Sequence, residues 1–254
     1  DSIAGILYPG YYLPEDRAKR IVELLEPKND WTKEDFMNML NDTKSPTSSN
    51  LISIISEIIK PDLKNDTEKT ALKLLEQWDS YYTKSSVAAT IYTRFIYLFM
   101  KNTFEDEIGE ATFEGFINTH LMKRMIAEQI NKEQSIWWDN INTSEKEDKK
   151  SILQKSFSQT ITALENQLGK DINTWTWNRV HTLEHEHPLG SIKLLRPYFN
   201  VGKFEVTGTR EVINNLGFKL NTEGVYNVNA GPSTRRVIDF SDIENSMSIL
   251  PTGN

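Results

Sequence analysis

Three of the four histidines in this 254-residue chain lie within seven residues, between His181 and His187. The order His181, Glu184, His185 has the His-x-x-Glu-His spacing of one class of zinc hydrolases, in which two histidines bind zinc and the glutamate acts as base. On a helix, His181 and His185 would share a face. Pro188 disfavours a helix that continues here, and short motifs have low specificity. A metal-free polar segment is therefore favoured, with a zinc metallopeptidase as an alternative.

The other patterns that could support catalysis are incomplete. The chain has no cysteine, which excludes disulfides, thiolate zinc sites and a cysteine nucleophile. No Gly-x-Ser-x-Gly sequence occurs, and Ser233 lacks the strand-to-helix context of a nucleophile elbow. The scattered glycines form neither a Gly-x-Gly-x-x-Gly nor a Walker pattern, which argues against a nucleotide cofactor. By these patterns alone, the chain carries no complete catalytic set.

Composition limits the classes of partner. Hydrophobic residues make up 38% of the chain, with six Trp, nine Tyr and eleven Phe, which indicates a packed core. The tryptophans at 137, 138, 175 and 177 are predicted to lie in that core rather than to line a pocket. The net charge is -7 and the basic residues are scattered, so a nucleic-acid partner is not expected. No apolar run approaches the roughly 20 residues that span a bilayer.

The elements that must position these residues are predicted to be mainly helical over residues 14–190. Thr32 followed by Asp35 is typical of a helix N-terminus, and Gly169 is predicted to end a long helix. The first helix begins near Pro14 and carries an apolar face formed by Ala18, Ile21, Val22, Leu24 and Leu25. Apolar periodicity predicts later helices over residues 51–59, 71–78, 87–100, 113–130 and 152–168.

The hydrophobic pattern changes from helical to alternating towards the C-terminal end, and residues 198–254 are predicted to be strand-rich. Alternating or clustered apolar residues predict short strands over residues 201–206, 226–229 and 236–240. A small sheet of this size is marginal unless it packs on helices or joins other strands. The expected fold class is α+β, with a helical segment followed by a small antiparallel sheet.

Four segments of the chain are informative when they are taken together: residues 10–21 (GYYLPEDRAKRI), 175–181 (WTWNRVH), 187–190 (HPLG) and 231–239 (GPSTRRVID). In this order they resemble the penicillin acylase family of N-terminal nucleophile hydrolases. Their joint order and spacing are far more specific than any single motif. The resemblance implies an αββα hydrolase fold and hydrolysis of a linear amide, with a penicillin-type or N-acyl homoserine lactone-type acyl group.

The resemblance also implies where the catalytic groups lie. In the family, a serine freed at the first position of the catalytic subunit attacks the amide, and an asparagine helps to stabilise the oxyanion. Asp1 cannot be that serine, so the chain is expected to be the later part of the subunit, inactive alone. Arg17 matches a family arginine that orients the asparagine. His181 and His187 match positions with a structural role.

Further expectations rest on the same resemblance. The partners are the remainder of the acylase precursor, including the nucleophile segment and a small subunit, and a small amide substrate. The location is periplasmic or secreted. No cofactor or metal is assigned in this chain, and calcium in the parent enzyme stays open. Besides the zinc peptidase, a non-catalytic helical interaction module remains an alternative.

Overall fold

The computed structural model describes residues 2–3, 5–7, 9 and 15–250. The predicted helix start at Pro14 lies outside these residues. The described residues form nine α-helices: α1 (Asp16–Leu25), α2 (Lys33–Leu40), α3 (Ser48–Ile59), α4 (Asp66–Glu76), α5 (Val87–Ile108), α6 (Glu110–Phe116), α7 (His120–Ile130), α8 (Lys149–Leu168) and α9 (Arg196–Phe199). None of the helices in the described part of the chain is long and apolar enough to cross a lipid bilayer.

Local capping chemistry sets several helix ends. The Thr32 hydroxyl accepts the Asp35 N–H at 3.2 Å, and the Asp35 carboxylate accepts the Thr32 N–H at 2.9 Å. This reciprocal pair satisfies two N–H groups that the helix leaves free, so the predicted start of α2 is confirmed. Gly169 follows α8 with φ +95°, a conformation that glycine adopts without steric cost, and the predicted end is also confirmed.

Helix α5 lies at the centre of the core. Its Phe95 packs on Phe157 of α8 with ring centroids 6.1 Å apart, and its Phe99 lies 6.1 Å from Trp138. Trp138 and the two tryptophans at 175 and 177 are buried, whereas Trp137 is half-buried against the same core. The prediction that these aromatic residues pack in the core is therefore confirmed.

The helix predicted over residues 113–130 is in fact two helices, α6 and α7. Between them, the Asn118 side chain donates to the Leu220 carbonyl at 3.1 Å and accepts the Leu220 N–H at 2.9 Å. This pairing joins positions separated by 102 residues. The break thus accommodates a tertiary contact that helical periodicity does not reveal.

The described strands form three separate two-stranded antiparallel sheets. The strands are β1 (Ser2–Ile3), β2 (Ile6–Leu7), β3 (Thr182–His185), β4 (Val201–Glu205), β5 (Arg235–Val237) and β6 (Met247–Ile249), paired β1 with β2, β3 with β4 and β5 with β6. The strand predicted over residues 226–229 is wrong. These residues are held by single hydrogen bonds, such as that from Tyr226 N–H to the Val180 carbonyl at 2.7 Å, rather than by the regular ladder of a sheet. The α+β class is confirmed.

Candidate functional site

Arg17 lies in the first turn of α1, and its side chain is exposed to solvent. Its backbone N–H donates to the Asp16 carboxylate at 2.6 Å. Among the residues that the structure describes, no hydrogen bond or ion pair is made by the Arg17 guanidinium. Residues 10–14 of the same family segment lie outside the described residues. The Arg17 guanidinium is therefore available to bind a group that another segment supplies.

Arg20 lies one turn further along α1 and is buried, with only 8% of its surface exposed. Its Nε and Nη2 donate to the two oxygens of Asp42 at 3.1 Å and 2.8 Å, a bidentate geometry that guanidinium and carboxylate favour. The Tyr81 hydroxyl accepts from Nη2 at 3.2 Å, and Glu23 lies 3.3 Å from Nη1. The hydrogen bond to Asp42 raises the pKa of Arg20 above its ordinary value.

A second ion-pair cluster holds the beginning of α1. Lys123 of α7 contacts the Asp16 carboxylate, and the side chains of both residues are only 14% exposed. The same ammonium lies 3.4 Å from Glu211 Oε1. Two carboxylates from distant parts of the chain thus share one lysine, which ties α1 to α7 and to the segment after β4. The sequence did not predict that these three residues pair, because no motif links partners so far apart.

A cavity of about 260 Å³ adjoins this cluster. Asp16, Lys123, Arg210 and Glu211 are among its polar lining residues. Its apolar walls come from α3, α5, α7 and the segment after β4, and include Leu51, Ile54, Ile96, Ile126, Phe218 and Leu220. Because the walls are mainly hydrocarbon, the cavity suits an uncharged apolar group better than a phosphate or a sugar.

The segment 175–181 forms an aromatic cluster rather than a catalytic site. Trp177 stacks on His181 with centroids 4.8 Å apart and on Tyr226 at 5.6 Å. His181 Nδ1 lies 2.7 Å from the Tyr226 carbonyl, which can only accept, so Nδ1 carries the proton. Burial lowers the pKa of His181 to about 4. A neutral, buried imidazole of this kind is consistent with a structural role.

The helix that the zinc hypothesis requires does not form. Residues 182–185 are strand β3 instead, with His181 just before the strand and His185 at its end, so the two histidines do not share a helical face. Glu184 instead pairs with Arg196, which lowers the pKa of Glu184, and His185 packs near Phe204. No group of three His, Asp or Glu side chains in the described part of the chain is placed to hold a metal. The His-x-x-Glu-His interpretation is wrong because β4 supplies a partner strand.

The two other family segments also serve to hold the fold. The His187 side chain accepts the Leu189 N–H at 3.1 Å and stacks on Phe199 at 5.2 Å. In the segment 231–239, Arg235 donates to Asn41 Oδ1 at 3.0 Å and also contacts the Asn214 amide oxygen. The Arg235 contact to Asn41 connects β5 with the end of α2. Neither of the two segments contains a catalytic arrangement.

The family to which the chain belongs follows from comparison with known proteins. The penicillin amidase family model matches residues 4–254, and the chain is a member of that family. An acyl-homoserine lactone acylase QuiP from Pseudomonas fluorescens (strain Pf0-1) is 29% identical over 199 residues, which cover 76% of this chain and 23% of the relative. The QuiP protein of Pseudomonas aeruginosa is 25% identical to this chain over 209 residues, which cover 76% of this chain and 24% of the relative. The QuiP protein of Pseudomonas putida KT2440 is 30% identical to this chain over 126 residues, which cover 48% of this chain and 16% of the relative. The chain spans about a quarter of the length of the first of these relatives.

Proposed function

We propose that this chain is part of an amide hydrolase and corresponds to the later part of its catalytic subunit. The observation that carries this proposal is the family match over nearly the whole chain. The similar proteins named acyl-homoserine lactone acylases favour an N-acyl homoserine lactone as substrate, with a penicillin-type amide as the second candidate. The fold of the parent would be the αββα arrangement, with this chain contributing helices and short strands.

The reaction would be a two-step acyl transfer. A serine supplied by a segment outside these 254 residues attacks the amide carbonyl, the C–N bond breaks, and the amine leaves with a proton. Water then cleaves the acyl-serine ester and releases the carboxylic acid. The chain alone would be inactive, and its partners would be the nucleophile segment, a small subunit and the amide substrate. A periplasmic or secreted location belongs to the same proposal, and cell fractionation would test it.

Arg17 is the residue of this chain to which we assign a supporting role in that reaction. Its backbone is fixed by the helix and its guanidinium has no partner among the described residues, so the side chain can donate to the side-chain oxygen of an asparagine. That bond would orient the asparagine N–H groups towards the oxyanion, and the positive charge would favour the negative charge that develops there. Arg17 acts through the asparagine and is therefore a positioning residue.

Arg17→Ala in the full-length parent enzyme is expected to lower kcat by about 10- to 100-fold, less than removal of a direct oxyanion donor costs. Hydrolysis of fatty-acyl and phenylacetyl chromogenic amides measures the effect. Arg17→Lys is expected to recover only part of kcat, because an ammonium does not present the fork of a guanidinium.

Lys19→Ala is the matched control, since Lys19 is an exposed cation on the same helix. Its kcat should stay near the wild-type value. Full activity of Arg17→Ala would overturn the role given to Arg17. Absence of amide hydrolysis by the intact parent enzyme would overturn the proposed function itself and would favour an interaction module.

A further inference from the structure

Helix α1 is attached to the rest of the described structure without a buried apolar face. The apolar residues that were predicted to form its stripe are largely exposed, with Ile21 at 43%, Val22 at 51% and Leu25 at 37%. Most helices in proteins owe their stability to the packing of such a face. Since α1 lacks that packing against the described residues, its position must depend on other contacts.

Arg20 provides the most buried of these contacts. It is the buried residue of α1, and its fork reaches Asp42, whose side chain is itself only 9% exposed. Asp42 is held in turn, because its Oδ1 accepts the Lys44 N–H at 3.1 Å and its carbonyl accepts the Asn214 N–H at 2.8 Å. The guanidinium therefore binds a carboxylate whose residue is held both by its own turn, through Lys44, and by the distant segment that contains Asn214.

The Asp16 contact to Lys123 forms a second attachment at the first turn of the helix. Arg17 lies between the two attachments, directly after Asp16 and three positions before Arg20. Residues three apart on a helix are neighbours, with Cβ atoms about 5–6 Å apart. A shift or rotation of α1 by even a fraction of a turn would therefore move the Arg17 guanidinium away from its partner.

We propose that Arg20 is a positioning residue that, through its paired hydrogen bonds to Asp42, fixes the turn of α1 that presents Arg17. The inference rests on the proposed function for its catalytic consequence, while the anchoring itself stands on the contacts. Arg20 is buried and neutralised by Asp42 and Glu23, so it does not act on a substrate directly. Its effect on turnover would pass entirely through Arg17.

A double-mutant cycle in the full-length parent enzyme tests this pathway. Arg20→Gln is expected to lower kcat about tenfold with KM changed by less than about twofold, because a displaced guanidinium weakens transition-state stabilisation rather than substrate binding. In the Arg17→Ala background, Arg20→Gln should cause no further loss of kcat. Losses that multiply in the double variant, or wild-type kcat of Arg20→Gln, would overturn the proposal.

Hydrogen exchange provides a readout that does not depend on activity. Amides of α1 should exchange at least about tenfold faster in Arg20→Gln than in the wild type, with Lys19→Ala as the unchanged control. Arg20→Lys keeps the positive charge but not the forked guanidinium, so its amide exchange rate should be intermediate. This variant can replace Arg20→Gln in the double-mutant cycle if Arg20→Gln does not fold. Unchanged exchange in both Arg20 variants would overturn the anchoring. If exchange rises but Arg17→Ala is fully active, the proposed role of Arg17 fails while the anchor stands.

Discussion

Trp177→Ala is expected to lower the free energy of unfolding by about 3–5 kcal/mol, the usual cost of removing a large aromatic ring from a core. Trp177 is fully buried and lies within 6 Å of the rings of four neighbours. These four are Tyr82, His181, Phe218 and Tyr226. Truncation of the Trp177 side chain would leave a cavity between the rings of these four residues.

The indole N–H adds to the expected loss. It donates to the Gly208 carbonyl at 3.0 Å in a buried setting, and an acceptor left without a donor there costs about 1–3 kcal/mol. Gly208 has φ +82°, and an added Cβ would lie 2.4 Å from the Asn214 carbonyl oxygen, so this tight loop has little room to adjust. The acceptor would then stay unpaired.

Urea unfolding of the wild type and variants measures the effect. Trp177→Phe should cost less than Trp177→Ala, because it keeps a ring but loses the N–H donor. Trp31→Ala is the matched control, since Trp31 is only partly buried and contacts Phe36 and Lys28 at the surface. Its cost should stay below about 1 kcal/mol. Equal losses for Trp31→Ala and Trp177→Ala would contradict the central position of the cluster.

Protonation of His181 is expected to destabilise the chain by about 3 kcal/mol between neutral pH and pH 4. Burial lowers its pKa from 6.5 to about 4 in the folded state. Between these values the unfolded state binds more protons than the folded state, so acidification favours unfolding. The stability that neutral His181 contributes is therefore complete above pH 6.5 and is lost as the pH falls through 4.

Titration of Glu107 changes the unfolding free energy in the opposite direction, so its effect must be distinguished from that of His181. Burial, followed by its hydrogen bond with Asp106, raises the pKa of Glu107 from 4.5 to about 7, so its folded state binds the extra proton. The test is therefore the difference between the wild type and His181→Phe, which removes one titrating group and keeps a ring in the cluster. The unfolding free energy of His181→Phe should lose about 3 kcal/mol less than that of the wild type over this range.

His185→Gln is the control for this measurement, because His185 lies at the end of β3 rather than in the aromatic cluster. Over this pH range its unfolding free energy should fall more than that of His181→Phe. An unfolding free energy that falls equally with pH in the wild type and in His181→Phe would show that His181 is not the group responsible.

Features that depend on residues close together in the chain could be predicted before the fold was known. The Thr32 and Asp35 cap, the end of α8 at Gly169 and the helical periodicity of α5 each involve residues within a few positions, so the local sequence was enough to predict them. The α+β class and the family membership were also predictable, since one follows from these periods and the other from four ordered segments. The role of Arg17 rests on the family resemblance and stays a prediction.

Features that depend on partners far apart in the chain could not be predicted and became visible in the folded molecule. Residues 182–185 form a strand because β4 pairs with them, and α6 separates from α7 where Asn118 binds the Leu220 backbone. The burial of Arg20 depends on Asp42, 22 positions away, and that of Lys123 on Asp16, 107 positions away. Local patterns carry no record of such pairings, because the free energy of burying a charge is set by the partner that folding brings to it.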